Sequence, residues 1–273
     1  SLCCEAVGGN PETTVPIAVS MTLISGGIDI HDDIIDQSKV KQNRPTVFGK
    51  FGKDIALLVG DALLFKGLTL LCEAVKNGVP VEKMPVVIDI FNIMFFELGD
   101  AEALELKFRR RVDITPEEYL RVVEKKAADV EAHTRISAIL GGGSNNEIEA
   151  LGNYGRFLGM ILILRDDLLD VTDSKETLNR IENECLPLPI LCALQAPGIK
   201  PKLVPILFKK RLTKKDVKTI KEITNSAQGP EQSQKIMHKF AEKALLSIQN
   251  INHNNNLRAF LTASCFPYLE KRL

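Results

Sequence analysis

Apolar residues recur along this chain with the spacing of α-helices, and strand-like alternation is scarce. Capping and turn residues mark the breaks, as where Thr115 precedes Pro116 and two glutamates. The pattern predicts an all-α fold in a single domain over residues 1–273. The predicted helices cover about 11–36, 54–77, 82–109, 116–141, 146–171, 187–195, 214–224, 231–248 and 256–271.

The first long helix carries two adjacent glycines, Gly26 and Gly27. A glycine inside a helix costs roughly 1 kcal/mol relative to alanine, so the pair calls for an explanation. One explanation is close packing against another helix. The other is a wall that leaves room for a ligand. The sequence alone leaves both open.

A later helix is apolar over too wide an arc for a helix that buries one side only. It spans Ile88–Leu106 and contains three phenylalanines and several aliphatic residues. We expect this helix to lie either in the centre of a bundle or at a dimer interface.

Two acidic clusters stand out from the helical pattern, DDIID at residues 32–36 and DDLLD at residues 166–170. Residues i and i+4 share a helix face, so each cluster predicts two or three carboxylates at one level. Mg²⁺ prefers such hard oxygen ligands and usually bridges them to substrate phosphates. Two such helices facing each other would form a magnesium site.

Composition narrows the possible partners and compartment. Lys plus Arg and Asp plus Glu both number 35, so the formal net charge is zero, which argues against a nucleic-acid partner. The 6 cysteines lack metal-ligand spacing and are expected to be reduced thiols in a cytoplasmic protein. The apolar runs predict no membrane span.

The sequence around the clusters adds further motifs. These are DDIIDQSKVKQNRPTVFGKFG, ALLVGDALLFKGL, YGRFLGMILILRDDLLDVTD and LPLPILCAL. Together they resemble the trans-isoprenyl diphosphate synthase (polyprenyl synthetase) family, especially its geranylgeranyl and geranylfarnesyl diphosphate synthases. The resemblance runs from Cys4 to about Leu194. One DDxxD motif is weak evidence, but two with RPTV and GDALL between them are specific.

The resemblance implies a helical bundle around a deep central cavity, of the isoprenoid synthase type. It implies Mg²⁺-dependent condensation of isopentenyl diphosphate with an allylic diphosphate to make a short- to medium-chain all-trans product. It also implies a homodimer. By this resemblance the metal ligands and catalytic residues are Asp32, Asp36, Asp166 and Asp170, with Lys126 as a further catalytic residue. The substrate-binding residues would be Asp33, Asp167, Lys41, Arg44, Gly27 and Ile28.

Several positions depart from the family pattern. Ser25 stands where His or Gln is usual, Gln42 replaces a basic residue, Ala127 replaces Thr, and Ile163 replaces Gln. The glycine-lysine stretch after the second motif is replaced by DSKETLNRIENECLPL. A GGKRIRP-like segment would lie just upstream of Leu2, so we expect the N-terminal segment to be missing from this chain.

Two other functions fit part of the pattern. A class I terpene cyclase shares a helical fold and one aspartate-rich motif, but the aromatic content of 5% and the absence of Trp argue against it. A non-catalytic subunit of a heteromeric prenyl synthase would explain the substitutions, although it has no need for six aspartates. With no aromatic residue near Gly27 and Ile28, the expected product is longer than farnesyl diphosphate.

Overall fold

The computed structural model describes residues 1–41 and 44–265 of the 273-residue chain. Within these ranges the chain is almost entirely helical, which confirms the predicted all-α class. The helices are α1 Leu2–Ala6, α2 Val15–Ile35, α3 Val47–Phe51, α4 Lys53–Glu73, α5 Met84–Phe108, α6 Pro116–Lys126, α7 Ala128–Leu140, α8 Asn145–Thr172, α9 Ser174–Asn183, α10 Leu188–Gln195, α11 Lys200–Leu207, α12 Lys214–Ser226, α13 Gly229–Ser247 and α14 Asn255–Cys265. Gln42 and the predicted end of the last helix lie outside the described residues.

The long predicted helices are confirmed, and the differences are local. The predicted helix over 116–141 is two helices, because the chain breaks at Ala127. Ala127 is buried close to α8, where a Cβ atom on Gly159 would lie 2.9 Å from the Ala127 Cβ. The pattern also missed α1 and α3, which have only five residues each, and the longer helices α9 and α11.

A two-stranded antiparallel hairpin, β1 Val40–Lys41 and β2 Arg44–Pro45, follows α2. The hairpin was not predicted, because strands of two residues are too short to show a period-two alternation. Thr46 fixes the return of the chain, since its N–H donates to the Lys39 carbonyl (3.0 Å) and its hydroxyl donates to the Ser38 carbonyl (2.7 Å). The hairpin brings Lys41 back towards the end of α2.

The described chain divides into two compact units. The first comprises Ser1–Phe95, Asp129–Gly155 and Ser247–Leu257. The second comprises Phe96–Ala128, Arg156–Leu246 and the chain from Arg258 onwards. The predicted single domain and its central cavity stay predictions.

In the first unit, α2 and α4 pack unusually closely because small residues line their contact. Ser20 is buried and its hydroxyl donates to the Gly67 carbonyl across the contact (2.7 Å). A Cβ atom on Gly67 would lie 2.5 Å from Cγ1 of Ile24, a distance that forbids any side chain there. Beyond this contact, a cluster of Ile30, Ile34, Phe48 and Ala56 packs α3 against both helices.

Gly27 belongs to the same contact, so packing accounts for this glycine, and its assignment to a tunnel wall stays a prediction. A Cβ atom on Gly27 would lie 2.8 Å from the Gly60 carbonyl oxygen and 2.9 Å from Cγ of Leu64. Gly27 therefore faces α4, and close helix packing explains its lack of a side chain. The same geometry does not apply to Gly26, whose nearest neighbour would be Leu63 Cδ1 at 4.0 Å.

The second unit buries the whole of α10 except its last residue, Gln195. Its neighbouring helices begin at strong N-caps. Thr115 and Glu118 form a reciprocal capping box at α6, and Thr213 and Asp216 form another at α12. Such boxes satisfy backbone N–H groups that a helix start otherwise leaves without acceptors.

Two segments have the length and hydropathy of a membrane span, Pro11–Ile35 and Lys53–Asn77. Length and composition are weak evidence by themselves, because core helices can share both properties. The expectation that the chain has no membrane span therefore stays a prediction.

The adjacent glycines of α2 provide a matched stability test. We expect Gly26→Ala to stabilise the protein by up to about 1 kcal/mol, because alanine is the better helix former and has room. We expect Gly27→Ala to destabilise it by about 1–3 kcal/mol, since the Gly60 backbone cannot move aside as a side chain can. Urea unfolding of both variants measures the difference. Equal effects would contradict the packing assignment.

Candidate active site

The first aspartate motif lies at the C-terminal end of α2. Asp36 is the residue after the helix, and its N–H donates to the Asp32 carbonyl (2.8 Å), so the two lie one turn apart. Asp33 and Asp36 are buried, while Asp32 is partly exposed. Three carboxylates are thus gathered within about one helical turn, as the sequence predicted.

Lys41 neutralises part of this negative charge. Its Nζ lies 2.8 Å from Oδ1 of Asp33 and 3.6 Å from Oδ2 of Asp32. The hairpin produces this arrangement, and it also sets exposed Arg44 opposite Lys41 in the strand pair. The structure therefore brings the predicted phosphate-binding lysine to the first motif, with Arg44 beside it.

A further polar cluster lies along α2 before the motif, and the sequence analysis did not identify it as a group. Ser25 and Asp29 precede Asp32 by seven and three residues, so all three share one helix face. The Ser25 hydroxyl donates to Oδ1 of Asp129 on α7 (2.8 Å), and His133 Nε2 lies 3.9 Å from the same oxygen. Ser25, which departs from the family pattern, therefore has a hydrogen-bond partner on α7.

Burial and neighbouring carboxylates act together on this cluster. Burial, with Asp32, Asp129 and Asp33 as like charges, raises the pKa of Asp29, and Lys41 opposes the shift. Burial also lowers the pKa of His133. A sequence signal did exist, because an aspartate at position 29 interrupts an apolar helix on the same face as the motif.

His31, next to the motif, is engaged on a different face of α2. Its Nε2 lies 3.2 Å from Oδ1 of Asp61, the aspartate of the GDALL motif on α4. A Cβ atom on Gly60 would lie 2.6 Å from the His31 ring, so the glycine gives the ring its place. The contacts of His31 with Gly60 and Asp61 explain the GDALL motif by the packing of α2 against α4.

The second aspartate motif lies near the C-terminal end of α8, in the second unit. Asp166 is half exposed and pairs with Arg165 at 3.1 Å. Asp170 is more enclosed, and burial raises its pKa to about 7, with Arg180 as the opposing influence. Asp166 and Asp170 lie four residues apart and share one face of α8.

Asp167, the middle acid, has a different environment. It is 2% exposed, and both of its oxygens accept hydrogen bonds. Arg180 Nη2 donates to Oδ1 (2.6 Å), while the Tyr119 hydroxyl (2.8 Å) and the Leu188 N–H (3.0 Å) donate to Oδ2. The carboxylate of Asp167 thus ties α8 to α6, α9 and α10. The expected role of Asp167 in substrate binding stays a prediction.

Arg180 is the central cation of this network, and the sequence analysis missed it. Besides Asp167, it contacts Glu184 Oε2 (2.6 Å) and the Tyr119 hydroxyl (3.1 Å), and its Nε lies 3.8 Å from Oδ2 of Asp170. Surrounding carboxylates raise the pKa of Arg180, while burial acts in the opposite direction. Its only sequence signal was an i, i+4 pair with Glu184 in the stretch that departs from the family pattern.

Lys126 is the last residue of α6 and faces two glutamates of α5. Its Nζ lies 3.0 Å from Oε1 of Glu102 and also forms an ion pair with Glu105. Neither glutamate was singled out from the sequence. In the structure they hold the ammonium group of Lys126 in a defined position.

The donor chemistry of both motifs suits a hard divalent cation. Each motif presents two aspartates on one helix face, and carboxylate oxygens are the ligands that Mg²⁺ and Ca²⁺ prefer. The raised pKa of Asp170 marks a buried carboxyl group that a nearby cation would stabilise in its charged form. No comparable set of His or Cys ligands accompanies the motifs within the described residues.

Comparisons with known proteins agree with this geometry. The model of the polyprenyl synthetase family matches residues 1–224. The chain is 36% identical over 177 residues to the short chain isoprenyl diphosphate synthase of Methanothermobacter thermautotrophicus, covering 64% of this chain and 53% of that protein. It is 35% identical over 186 residues to the geranylgeranyl diphosphate synthase of Methanosarcina mazei, covering 68% and 56%.

A solved structure shares the fold over almost the whole chain. The geranylgeranyl pyrophosphate synthetase from Pyrococcus horikoshii superposes with a TM-score of 0.85 at 24% identity, covering 97% of this chain and 83% of that one. The chain spans only about half the length of the curated relatives it matches. The match of the family model over most of the chain shows that this protein belongs to the polyprenyl synthetase family.

Proposed function

We propose that the protein condenses isopentenyl diphosphate with an allylic diphosphate to form a short- to medium-chain all-trans isoprenyl diphosphate, with Mg²⁺ as cofactor. The observation that carries this proposal is the pair of aspartate motifs, each at the end of a long helix with its own cation beside it. Membership of the polyprenyl synthetase family supports it. The names of the archaeal relatives support the same substrate class.

The reaction requires a leaving diphosphate and an environment that protects a cation. The bond from the allylic carbon to the diphosphate oxygen breaks, the double bond of isopentenyl diphosphate forms the new carbon–carbon bond, and a proton leaves with the departing diphosphate. Mg²⁺ held by Asp32 and Asp36 at the first motif, and Mg²⁺ held by Asp166 and Asp170 at the second, would supply Lewis-acid stabilisation of the developing charge. No nucleophilic side chain is needed.

The basic residues complete the proposed chemistry. Lys41, Arg44 and Lys126 would donate charge-assisted hydrogen bonds to diphosphate oxygens, which are among the stronger contacts available to a protein. Lys41 and Lys126 already contact carboxylates, so both ammonium groups are positioned before substrate binds. Asp33 would hold Lys41 in place.

We further propose that the protein acts as a cytoplasmic homodimer. Two helices of the first unit expose large apolar side chains: on α4, Leu58 and Phe65 are 65% and 70% exposed, and on α5, Ile93 is 59% exposed. Exposed apolar side chains at this density typically mark an interface. All six cysteines are free, as a reducing compartment would keep them.

Metal-dependent catalysis is tested by removing one ligand from each motif. Asp32→Asn and Asp166→Asn should each lower kcat by at least about 100-fold, because the lost charge stabilises mainly the transition state. The control is Glu242→Gln, which removes an exposed carboxylate from α13. Product formation from isopentenyl diphosphate and each allylic diphosphate is the measurement. Full activity in EDTA would refute the proposal.

Arg180 is expected to position the second motif. Arg180→Met would leave the buried Asp167 and Asp170 without their shared cation, so we expect a loss of about 3–5 kcal/mol in unfolding free energy. Arg180→Lys keeps the charge but loses the forked hydrogen bonding, and should fall between Met and wild type. Tyr119→Phe removes one donor and should cost about 1–3 kcal/mol. Urea unfolding ranks the three; an unaffected Arg180→Met variant would exclude the role.

Product length is expected to depend on Ile28. Ile28 lies four residues before Asp32 on the same face of α2, about 6 Å along the helix axis. No aromatic residue occupies that face at Met21, Ser25 or Asp29, so we expect the main product to be geranylgeranyl or geranylfarnesyl diphosphate. Ile28→Phe should shorten it. Gly27→Ala, which faces α4, is the control and should leave product length unchanged.

The homodimer is tested by light scattering on the purified protein. Leu58→Glu/Phe65→Glu should give monomers, because charges buried at an interface without partners are costly. Leu246→Glu, at an equally exposed position on α13, should leave the dimer intact. A wild-type protein that turns over only after a second synthase chain is added would instead identify a subunit of a heteromeric enzyme.

A further inference from the structure

Basic residues are strongly concentrated in one part of a chain that is neutral overall. The segment Lys200–Lys221 contains nine of the 35 Lys and Arg residues but one of the 35 Asp and Glu residues, Asp216. This segment comprises α11, a six-residue loop and the first eight residues of α12, all within the second unit. We call it the basic surface. A local excess of positive charge favours negatively charged binding partners, because opposite charges attract at long range.

The two helices of the basic surface turn their apolar sides inward and their cations outward. Leu203 and Leu207 of α11 and Val217 and Ile220 of α12 are buried. The exposed cations with no ion pair to any described residue are Lys200, Lys202, Lys210, Arg211, Lys214 and Lys215. Apart from Lys200, which lies near enough to Asp113 to help lower its pKa, these cations are available to a binding partner.

The loop between the helices adds an exposed aromatic ring. Phe208 is 56% exposed and is followed directly by Lys209, Lys210 and Arg211. Of these, Lys209 pairs with Asp216 at 2.5 Å, which anchors the loop to the start of α12. An aromatic ring beside several cations suits an anionic lipid surface, since the ring enters the apolar boundary while cations meet headgroups.

The basic surface is also fixed to the helix of the second motif. Lys221 Nζ donates to the Thr172 carbonyl at the end of α8 (2.6 Å), two residues after Asp170. The hydrogen bond therefore joins α12 to the end of the helix that carries the second motif. A surface formed by packed helices loses less conformational entropy on binding than an unstructured segment does.

We propose that the basic surface binds the surface of a membrane that contains anionic phospholipids, with Phe208 inserted and the surrounding Lys and Arg residues on the headgroups. Each cation near an anionic bilayer adds to the affinity, and the attraction decays within a Debye length. Nucleic acid would satisfy the charges but offers no apolar layer for the exposed ring. The binding itself does not depend on the proposed catalytic activity, but a membrane would accept a prenyl product with a long hydrocarbon chain.

The test is co-sedimentation of the purified full-length chain with lipid vesicles. We expect binding to phosphatidylcholine vesicles that contain phosphatidylglycerol, weak binding to phosphatidylcholine alone, and release as salt rises from roughly 0.1 M to several times that value. Lys210→Glu/Arg211→Glu should weaken binding by at least about tenfold. Phe208→Ser should weaken it less and leave the salt dependence unchanged.

The control reverses the same amount of charge elsewhere in the second unit. Lys235→Glu/Lys239→Glu changes two exposed lysines of α13 and should retain wild-type binding. Equal loss in this control, equal binding to neutral vesicles, or no vesicle binding by the wild type would each overturn the proposal. So would tighter binding to a short RNA or DNA duplex than to anionic vesicles.

Discussion

Carboxylates crowded at the ends of α2 and α8 impose the main physical constraint on this structure. Like charges at such separations repel, and partial burial removes the water that would otherwise stabilise them. Each unit responds with a cation of its own. Lys41 reaches Asp33 and Asp32 in the first unit, and Arg180 reaches Asp167 and Asp170 in the second. The hairpin that carries Lys41 and the helix α9 that carries Arg180 bring these cations to the carboxylates.

The ion pairs formed by Lys41 and by Arg180 differ in how far they are exposed to water and in how firmly they hold the motifs. Lys41 lies on a short hairpin and its side chain is about half exposed, so water weakens its contact with Asp33. Arg180 is enclosed, and it shares Asp167 with Tyr119 and the Leu188 backbone. A buried, hydrogen-bonded ion pair of this kind fixes geometry more than it adds stability. The cation of the first motif is thus the more exposed of the two, and the cation of the second motif is held by more contacts.

Close backbone approach is the second recurring device. Gly60 and Gly67 of α4 leave space for His31 and Ile24 of α2, so the two helices pack closely, and this leaves the opposite face of α2 for the acids. On that face Ser25 and Asp29 continue the polar character before the motif, with Asp129 as partner on α7. Ser25, which stands where the family usually has His or Gln, therefore forms its own hydrogen bond, to Asp129.

The sequence by itself determined the helical class, the long helices and both aspartate motifs, because these depend on local periodicity and on spacing along one helix. It did not determine that Gly27 packs on α4 while Gly26 is free, since adjacent helical residues point about 100° apart and only the partner helix decides which is enclosed. Nor did it indicate that Asp167 and Arg180 form a buried ion pair. Arg180 and Tyr119 are 61 residues apart in the chain, and Ser20 and Gly67 are 47 apart. Contacts over such distances arise from tertiary packing, which no local pattern records.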